Sequence, residues 1–519
     1  MQAGEREREP QLPLSLGRPT AWELIELGAK EHLSLGESEA RELMPVVSGL
    51  LEAVEDLGAI PPIEMAPGSV SGRDAGRVPS SEENPWNAFI RICDVHGLAE
   101  GPLLGERVGV KDNIDVAGVP TTNASASTPY LPRSDAVVVE RVLAAGGRVV
   151  GKLNMDNFGA GASGETSAFG PPLNPRDASR SAGGSSGGAG AALAAGAVDL
   201  ALGVDQAGSA RIPASFCGVV AIKATHGLVP TQGVTHLDHT IDFVCPMART
   251  VSDAARLLEA VAGDDWRDPQ WVRGPVPARW RSSGLEDVAG LRVAVVRESV
   301  DRRICSEDVV RNVYRVADAL RGAGAEIKEV SVPLWPKGLP IAQTLLCHLV
   351  GAMVRSEGVG YGHLGLVDVE RMRSFAEVRR TQSELLPAYM KVWMLVERYL
   401  HDEYLNVTYG TIHNLRLRFR TEIEQAFAGA ELLLTPTTPE SAPPLLGADQ
   451  DVTAGVAGRI LKSLPYNTAP FNLSGHPVVA LPSGKDRVGL PTSVQLAAGH
   501  FADDLAVRAA RVVESALSS

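Results

Sequence analysis

Two serine-containing segments carry the residue types best suited to covalent chemistry. The first, S-A-G-G-S-S-G-G-A-G at residues 181–190, runs into the alanine-rich residues 191–195. Because alanine favours helix and the first N–H groups of a helix lack partners, this junction suits a developing negative charge. The second, D-Q-A-G-S-A-R-I-P, places Ser209 shortly after the apolar residues 200–204. A strand there would put Ser209 just beyond the carboxyl end of that strand, where open α/β folds hold their ligands.

The glycine-rich segment has three competing interpretations. A flexible linker would not lead into a helix and then an apolar strand. A phosphate-binding loop requires a lysine after the glycines, and none is present. Residues 183–187 also fit G-x-S-x-G, which would make Ser185 the nucleophile of an α/β-hydrolase esterase, with His226 or His476 as its partner. That motif needs a buried strand before it, whereas residues 174–180 are rich in Pro, Asp and Arg.

Lys111 could be the base that a serine nucleophile needs. It follows the apolar residues 108–110, and burial at a strand end would lower its pKa. Keeping a lysine neutral at pH 7 requires about 4.6 kcal/mol. Asp112 opposes that shift, but alternation along a strand points Asp112 to the opposite face and returns Asn113 to the side of Lys111. The ordinary alternatives are a Lys-Asp surface turn and, for Ser209, a turn or helix cap.

Taken together, these segments make the sequence resemble the amidase signature family. The glycine-serine run and D-Q-A-G-S-A-R-I-P-A-S-F-C-G-V-V at 205–220 are similar to its nucleophile region. V-G-V-K-D-N-I-D-V-A-G-V-P-T-T at 108–122 looks like its catalytic-lysine segment, and H-G-L-V-P at 226–230 and G-H-P-V-V-A-L-P-S-G at 475–484 look like later landmarks. Within the family, D-Q and a helical N-terminal arm are similar to the amidases associated with nitrile metabolism.

The resemblance implies a role for each matching residue. Ser209 would be the nucleophile, Lys111 the base, and Ser185, in a cis peptide, the bridge that relays the proton between them. The neighbouring positions would support these three, with oxyanion-hole N–H groups running from Gln206, Ala207 and Gly208 to Ser209, and a structural ion pair of Asp205 with Arg211. No metal or other cofactor is implied.

Some positions depart from the family pattern. Ala207 stands where the family usually has Gly, Ala210 where it has a branched apolar residue, and Ala221 and Ala224 where it has Gly or Pro. If position 207 requires a left-handed backbone, alanine there would cost roughly 1 to 2 kcal/mol. The departures leave all three members of the proposed triad in place.

The elements that would position these groups alternate between strand and helix. Strands are predicted at 107–110 and 148–153 around a helix at 136–145. The same rhythm recurs later in the chain, with strands at 291–296, 326–330, 432–434, 478–481 and 494–497, and helices at 307–321 and 503–517. The predicted fold is α/β, a large mixed, mostly parallel β-sheet covered by helices on both faces.

Two predicted segments lie outside this strand-helix alternation. Residues 1–84 are predicted to form a helical N-terminal arm and linker, and residues 85–519 the amidase signature domain. Within the latter, residues 340–427 lack strand patterns and carry long helical segments such as 387–404. We expect this insertion to cover the substrate.

Composition limits the partners. The formal charge is −13, without basic clusters interleaved with aromatics, so no nucleic acid is expected. No run of about 18 consecutive apolar residues is present, so no membrane span is expected. Five dispersed cysteines without a C-x-x-C pair favour a reducing, cytoplasmic setting, and no H-E-x-x-H spacing suggests a metal. A homodimer is implied only by the subgroup resemblance.

The predicted activity is hydrolysis of a small-molecule carboxamide to a carboxylic acid and ammonia or an amine, through a Ser209 acyl-enzyme. One alternative on the same fold is acyl transfer, or service as an amidotransferase subunit that feeds ammonia to a partner. The other is the Ser185 esterase. The sequence does not identify the amide.

Overall fold

The computed structural model describes residues 16–58, 60, 73–270, 287–446, 455, 458, 459 and 464–518. The chain forms two compact units, Met1–Pro67 and Gly68–Ser519. The division of the chain into an arm and linker to residue 84 and a larger domain from residue 85 stays a prediction.

The described part of the first unit holds two helices, α1 (Ala21–Lys30) and α2 (Glu37–Leu57). Thr20 begins α1 with a reciprocal cap, since its hydroxyl accepts from the Glu23 N–H at 3.2 Å and the Glu23 carboxylate accepts from the Thr20 N–H at 2.7 Å. Both helices lie within residues 1–84, for which the sequence predicts a helical N-terminal arm and linker.

The second unit is built on one mixed sheet of eleven strands among the described residues. In chain order the strands are β1 (Phe89–His96), β2 (Arg107–Lys111), β3 (Arg148–Leu153), β4 (Leu200–Asp205), β5 (Val220–Lys223), β6 (Phe243–Ala248), β7 (Arg292–Val296), β8 (Glu326–Val330), β9 (Leu432–Pro436), β10 (Val478–Lys485) and β11 (Pro491–Ala498). Across the sheet they run β1-β3-β2-β4-β6-β5-β10-β11-β9-β7-β8.

Helices connect these strands. They are α3 (Val137–Ala144), α4 (Gly187–Ala194), α5 (Arg211–Cys217), α6 (Val251–Val261), α7 (Glu307–Gly322), α8 (Trp335–Arg355), α9 (Val369–Thr381), α10 (Ala388–Tyr404), α11 (Val407–Phe427), α12 (Ala469–Ser474) and α13 (Asp503–Ser518). Short 3-10 turns lie at Asn157–Gly159, Arg297–Val300 and Ser383–Leu385.

The sheet is mixed, as predicted, but less parallel than predicted. Strand β2 pairs in parallel with β3 and β4, and β7 pairs in parallel with β8 and β9. The other six ladders of the described sheet are antiparallel. The βαβ rhythm therefore holds toward the two ends of the sheet. Strands β6, β5, β10 and β11 form an antiparallel centre that this rhythm does not reveal.

Helices pack on both faces of the sheet, which confirms the predicted layers. One face packs its Val and Leu side chains against α3, α6, α7 and α13. The opposite face packs against α4 and α5 near the glycine-rich segment and against α8 to α12 elsewhere. Residues 340–427 fall on helices α8 to α11, and their predicted role as a cover of the substrate stays a prediction.

Helix α8 (Trp335–Arg355) is long and apolar enough to cross a membrane by length and composition. Within its most apolar window, however, 72% of the residues are buried inside the protein. That burial is the behaviour of a core helix, whose apolar surface is already covered by its own fold.

Candidate active site

Lys111 is the last residue of β2 and is fully buried. Its Nζ lies 2.7 Å from Ser185 Oγ, in a hydrogen bond, and 3.2 Å from the carbonyl oxygen of Val204. Burial lowers the pKa of Lys111 to about 8, against the opposing charges of Asp156 and Asp205. A lysine in this state exchanges a proton near neutral pH, which an exposed lysine does not.

Asp112 points away from Lys111, as strand alternation predicted. Its carboxylate accepts from the N–H groups of Thr122, at 3.0 Å, and Ala124, at 3.2 Å. It also lies 3.6 Å from Nζ of Lys152, a second buried lysine. The Asp112 carboxylate, although next to Lys111 in sequence, therefore lies near Lys152 instead.

Ser185 precedes helix α4, and the peptide bond between Gly184 and Ser185 is cis. The Ser185 carbonyl accepts from the Asp156 N–H at 3.1 Å. The buried Asp156 carboxylate in turn accepts from the Gly164 N–H at 3.0 Å and the Thr166 hydroxyl at 2.8 Å. Asp156 thus fixes Ser185 through its backbone N–H, while Gly164 and Thr166 fix the Asp156 carboxylate.

Ser209 lies in the turn between β4 and α5 and is 7% exposed. Its carbonyl accepts from the Ser186 N–H at 2.9 Å, which ties the turn to the glycine-rich segment. Among the described residues, no hydrogen bond joins the hydroxyls of Ser185 and Ser209. Lys111 and Ser185 are therefore in direct contact, and Ser209 is connected to this pair through the backbone of Ser186.

Gly208 has the backbone conformation that only glycine adopts easily at this site. Its φ is +135°, and a Cβ there would lie 2.2 Å from Thr468 Oγ1. Ala207 is not among the residues with positive φ, so the penalty considered for alanine at position 207 does not arise. The Ala207 carbonyl accepts from the Thr468 hydroxyl at 2.5 Å.

Asp205 and Arg211 form a fully buried ion pair around this turn. Arg211 Nε donates to Asp205 Oδ2 at 3.0 Å and Nη2 donates to Oδ1 at 2.9 Å. Asn472 Nδ2 donates to the same carboxylate at 2.8 Å, and Arg211 Nη1 donates to Gln495 Oε1 at 2.7 Å. These contacts hold the pKa of Asp205 at about 2 despite its burial.

The proposed oxyanion hole needs one revision. The Gly208 N–H donates to Asp205 Oδ1 at 2.8 Å, so it is already used inside the turn. Within the described chain, the N–H groups of Gln206, Ala207 and Ser209 make no hydrogen bond. Gly208 therefore shapes the turn through its conformation, and an oxyanion hole at this turn stays a prediction for the other three N–H groups.

A pocket of about 380 Å³ opens directly at Ser209. Its lining includes Gln206, Ala207 and Ser209 of the turn and Gly159, Gly161 and Ala162 opposite, and its apolar wall is formed by Ile212, Leu237, Leu346, Trp393 and Pro465. No Asp, Glu, Lys, Arg or His of the described chain lines it. We call it the Ser209 pocket.

A larger pocket of about 700 Å³ lies beside it. The two pockets share Leu237, and Phe158 of the larger one precedes Gly159 of the smaller. The larger pocket is also lined by Arg371 and several hydroxyl-bearing side chains. We call it the Arg371 pocket.

The histidines proposed for an esterase do not serve Ser185. The hydroxyl of Ser185 is bonded to Lys111, while His226 Nε2 lies 3.1 Å from the His239 carbonyl oxygen. The His476 ring packs on His500, with ring centroids 4.0 Å apart. The geometry therefore favours the Lys111-based arrangement over the Ser185 esterase.

Several supporting side chains carry no local sequence signal. Asp156, Thr468, Asn472 and Gln495 contact the site, but their positions in the chain give no reason to connect them with Ser209. Elsewhere, Glu424, His476 and His500 offer ligand atoms that all lie within 4.8 Å of one another. Among the described residues, none of the three side chains hydrogen-bonds to Lys111, Ser185 or Ser209.

The chain is similar in sequence and structure to known amidases and amidotransferase subunits. The amidase family model matches residues 93–507. The A subunit of glutamyl-tRNA(Gln) amidotransferase from Halobacterium salinarum is 37% identical over 82% of this chain and 99% of its own length. The structure of the corresponding Thermotoga maritima protein has a TM-score of 0.68, with 31% identity over 94% of both chains. The native peptide amidase of Stenotrophomonas maltophilia has a TM-score of 0.66, with 25% identity over 80% of this chain and 83% of its own.

The family match and these relatives identify the chain as an enzyme that cleaves carbon-nitrogen bonds. The chain belongs to the amidase family, the amidase signature family that its motifs resemble. Its likeness to the nitrile-associated subgroup stays a prediction, because these relatives carry other names.

Proposed function

We propose that the protein hydrolyses a carboxamide with an apolar substituent, using Ser209 as nucleophile, Ser185 as proton relay and Lys111 as base. The hydrogen bond between Lys111 and Ser185 supports the pairing of base and relay. Burial of Lys111 supports its action as a base near neutral pH.

In the proposed reaction the Ser209 oxygen forms a bond to the amide carbon. The Ser209 proton passes to Ser185, and the Ser185 proton passes to Lys111 Nζ. The same relay returns a proton to the amide nitrogen, and the carbon-nitrogen bond breaks as the acyl-enzyme forms. Water then attacks the ester and restores Ser209. Rotation of the Ser209 side chain toward Ser185 completes the relay once the amide is bound.

The tetrahedral oxygen would be held by the backbone N–H groups of Gln206, Ala207 and Ser209. These three face no competing acceptor in the described chain, and the Asp205–Arg211 pair fixes the turn that carries them. Losing one such donor typically slows an enzyme about 100- to 1,000-fold. Asp205 and Arg211 are positioning residues in this scheme, because neither reaches the amide.

One observation carries the choice of substrate: the Ser209 pocket has an apolar wall and, within the described residues, no charged side chain. Glutamine, whose side chain ends in a carboxamide, also carries an ammonium and a carboxylate, and burying either without a partner is unfavourable. An aliphatic or aromatic substituent instead gains about 25 cal/mol for each Å² of apolar surface removed from water.

The second candidate function is that of an amidotransferase subunit. It is favoured by the names of the relatives, two of which are A subunits of glutamyl-tRNA(Gln) amidotransferase. In that role the chain would release ammonia from glutamine and work with partner chains. It uses the same serine and lysine, so the substrate distinguishes the two candidates.

Two further proposals concern the setting of the protein. The five cysteines are free thiols, which supports a cytoplasmic location. A homodimer stays a proposal from the subgroup resemblance, whereas the relatives' names support association with other subunits.

The test compares wild type with Ser209→Ala and Lys111→Ala on glutamine and on a series of aliphatic and aromatic primary amides. We expect wild type to favour the apolar amides, and each variant to lose turnover by about 1,000-fold or more. Lys485→Ala, which changes an exposed lysine, is the matched control and should retain activity.

Two results would overturn the proposal. Full activity of either variant would remove its residue from the mechanism. A clear preference for glutamine, with ammonia passed on only when partner subunits are added, would establish the second candidate instead.

A further inference from the structure

The Arg371 pocket has no role in the proposed chemistry, yet it adjoins the Ser209 pocket. Leu237 contributes to both walls, and Phe158 and Gly159 place consecutive residues in the two pockets. A substrate confined to the Ser209 pocket would carry a small substituent, whereas a substrate that reached both pockets would be elongated.

The lining of the Arg371 pocket is partly apolar and partly polar. Phe158 and Phe375 form an aromatic wall, with ring centroids 6.1 Å apart, and Met353 and Val378 extend it. The lining also contains hydroxyl-bearing residues, among them Ser127 and Ser374. Such a pocket suits a chain or ring that has an apolar body and a polar end.

The charges of the pocket argue against an anionic ligand. Arg371 contacts the Asp115 carboxylate, and Asp368 lies 3.9 Å from its Nε. The Tyr130 hydroxyl donates to Asp368 at 2.8 Å. The Arg371 guanidinium therefore already faces two carboxylates, and its positive charge is not free to pair with an added anion.

Two polar atoms in the pocket lining lack partners in the described chain. Arg371 Nε, a donor, and Asn123 Oδ1, an acceptor, are buried and make no hydrogen bond. Both atoms are almost completely covered by protein, so neither is an open contact for a ligand. They show that this part of the lining is polar, and a neutral polar group such as a hydroxyl or an amide suits it.

We infer that the Arg371 pocket is a second substrate subsite, which holds the distal part of an elongated, uncharged amide whose scissile bond lies at Ser209. This inference rests on the proposed amide hydrolysis and deepens it. It names the substrate class as long amides that end in a neutral polar group, rather than short amides or amino acids.

The test uses three amides: butanamide, a decanamide that ends in a hydroxyl group, and a butanamide that carries a hydroxyhexyl group on nitrogen. The long compounds extend the acyl side and the amine side, respectively. We expect at least one long amide to exceed butanamide in kcat/KM by about tenfold or more, the range that added apolar contacts give in an enzyme pocket.

A pair of variants on helix α9 separates the subsite from general effects. Ser374 lines the pocket, whereas Glu377 on the same helix is exposed and does not. Ser374→Phe should fill the subsite and reduce kcat/KM for the favoured long amide to the level of butanamide. Glu377→Phe adds the same bulk outside the pocket and should leave the advantage unchanged.

The subsite is ruled out if butanamide matches both long amides in wild type, or if Ser374→Phe keeps the advantage. Calorimetry with Ser209→Ala, alone and combined with Ser374→Phe, makes the test independent of turnover. If wild type cleaves none of the amides, the proposed function fails. Tighter binding of a long amide that Ser374→Phe abolishes would still support the subsite, and absence of that binding would overturn it.

Discussion

The turn that carries Ser209 and the helices α8 and α10 beside it contribute to the site through different interactions. The turn is held by buried charge: Asp205 and Arg211 are fully buried and paired with each other and with Asn472. Helices α8 and α10 contribute apolar packing, because Leu346 and Trp393 form part of the apolar wall of the Ser209 pocket. Buried ion pairs tolerate little change, whereas an apolar wall can be reshaped by conservative substitution. The chemistry and the substrate preference therefore reside in separable parts of the protein.

The largest effect is expected from Arg211→Met, which breaks the turn. Removing the guanidinium leaves the Asp205 carboxylate buried without its main partner, and such losses destabilise proteins by about 3 to 5 kcal/mol. Turnover should fall as well, because Asp205 also holds the Gly208 N–H. Urea denaturation measures the first effect and kcat the second.

Arg303→Met is the control for Arg211→Met, because it removes an arginine whose side chain is 89% exposed from its pair with Asp301. We expect this variant to unfold at the same urea concentration as wild type. An Arg211→Met protein as stable as wild type would show that the buried pair does not hold the turn.

The pH dependence of kcat/KM tests Lys111 as the base without any substitution. Burial lowers the pKa of Lys111 to about 8, and only the neutral amine can accept a proton. Below that pH the protonated fraction grows, so kcat/KM should fall about tenfold per pH unit as pH decreases, and it should level off above about pH 8. Initial rates on one apolar amide measure the profile, with circular dichroism to confirm that the fold persists. A rate that is flat from about pH 6 to about pH 9 would exclude Lys111 as the base.

Much of the chemistry could be predicted from the sequence because its signals are local. The apolar run before Ser209 predicts strand β4, and alternation after residue 108 separates Asp112 from Lys111. Contacts between residues that are far apart in the sequence leave no local pattern of this kind. Thr468 and Asn472 reach the turn from more than 250 residues away, and only the order of strands in the sheet brings them there.

Two other features escaped prediction for related reasons. The antiparallel centre of the sheet includes β6, whose Pro246 is unusual inside a central strand, and β5, which has only four residues. The pocket wall depends on which faces of α8 and α10 turn inward. That choice depends on how the helices pack against each other, and neither helix reveals it alone.

The smallest effect is expected from Trp393→Phe, which changes the cover alone. Trp393 is buried and packs against Tyr389, with ring centroids 4.6 Å apart. Phenylalanine keeps an aromatic ring while enlarging the Ser209 pocket, so we expect kcat/KM to shift about three- to tenfold from smaller toward bulkier substituents. The pH profile should stay unchanged, because Lys111 and Ser185 are untouched. Leu395→Ala, at a position on the same helix that is 70% exposed, is the control and should leave the preference as it is. An altered pH profile or an unaltered preference in Trp393→Phe would show that the chemistry and the substrate preference are not separable in this way.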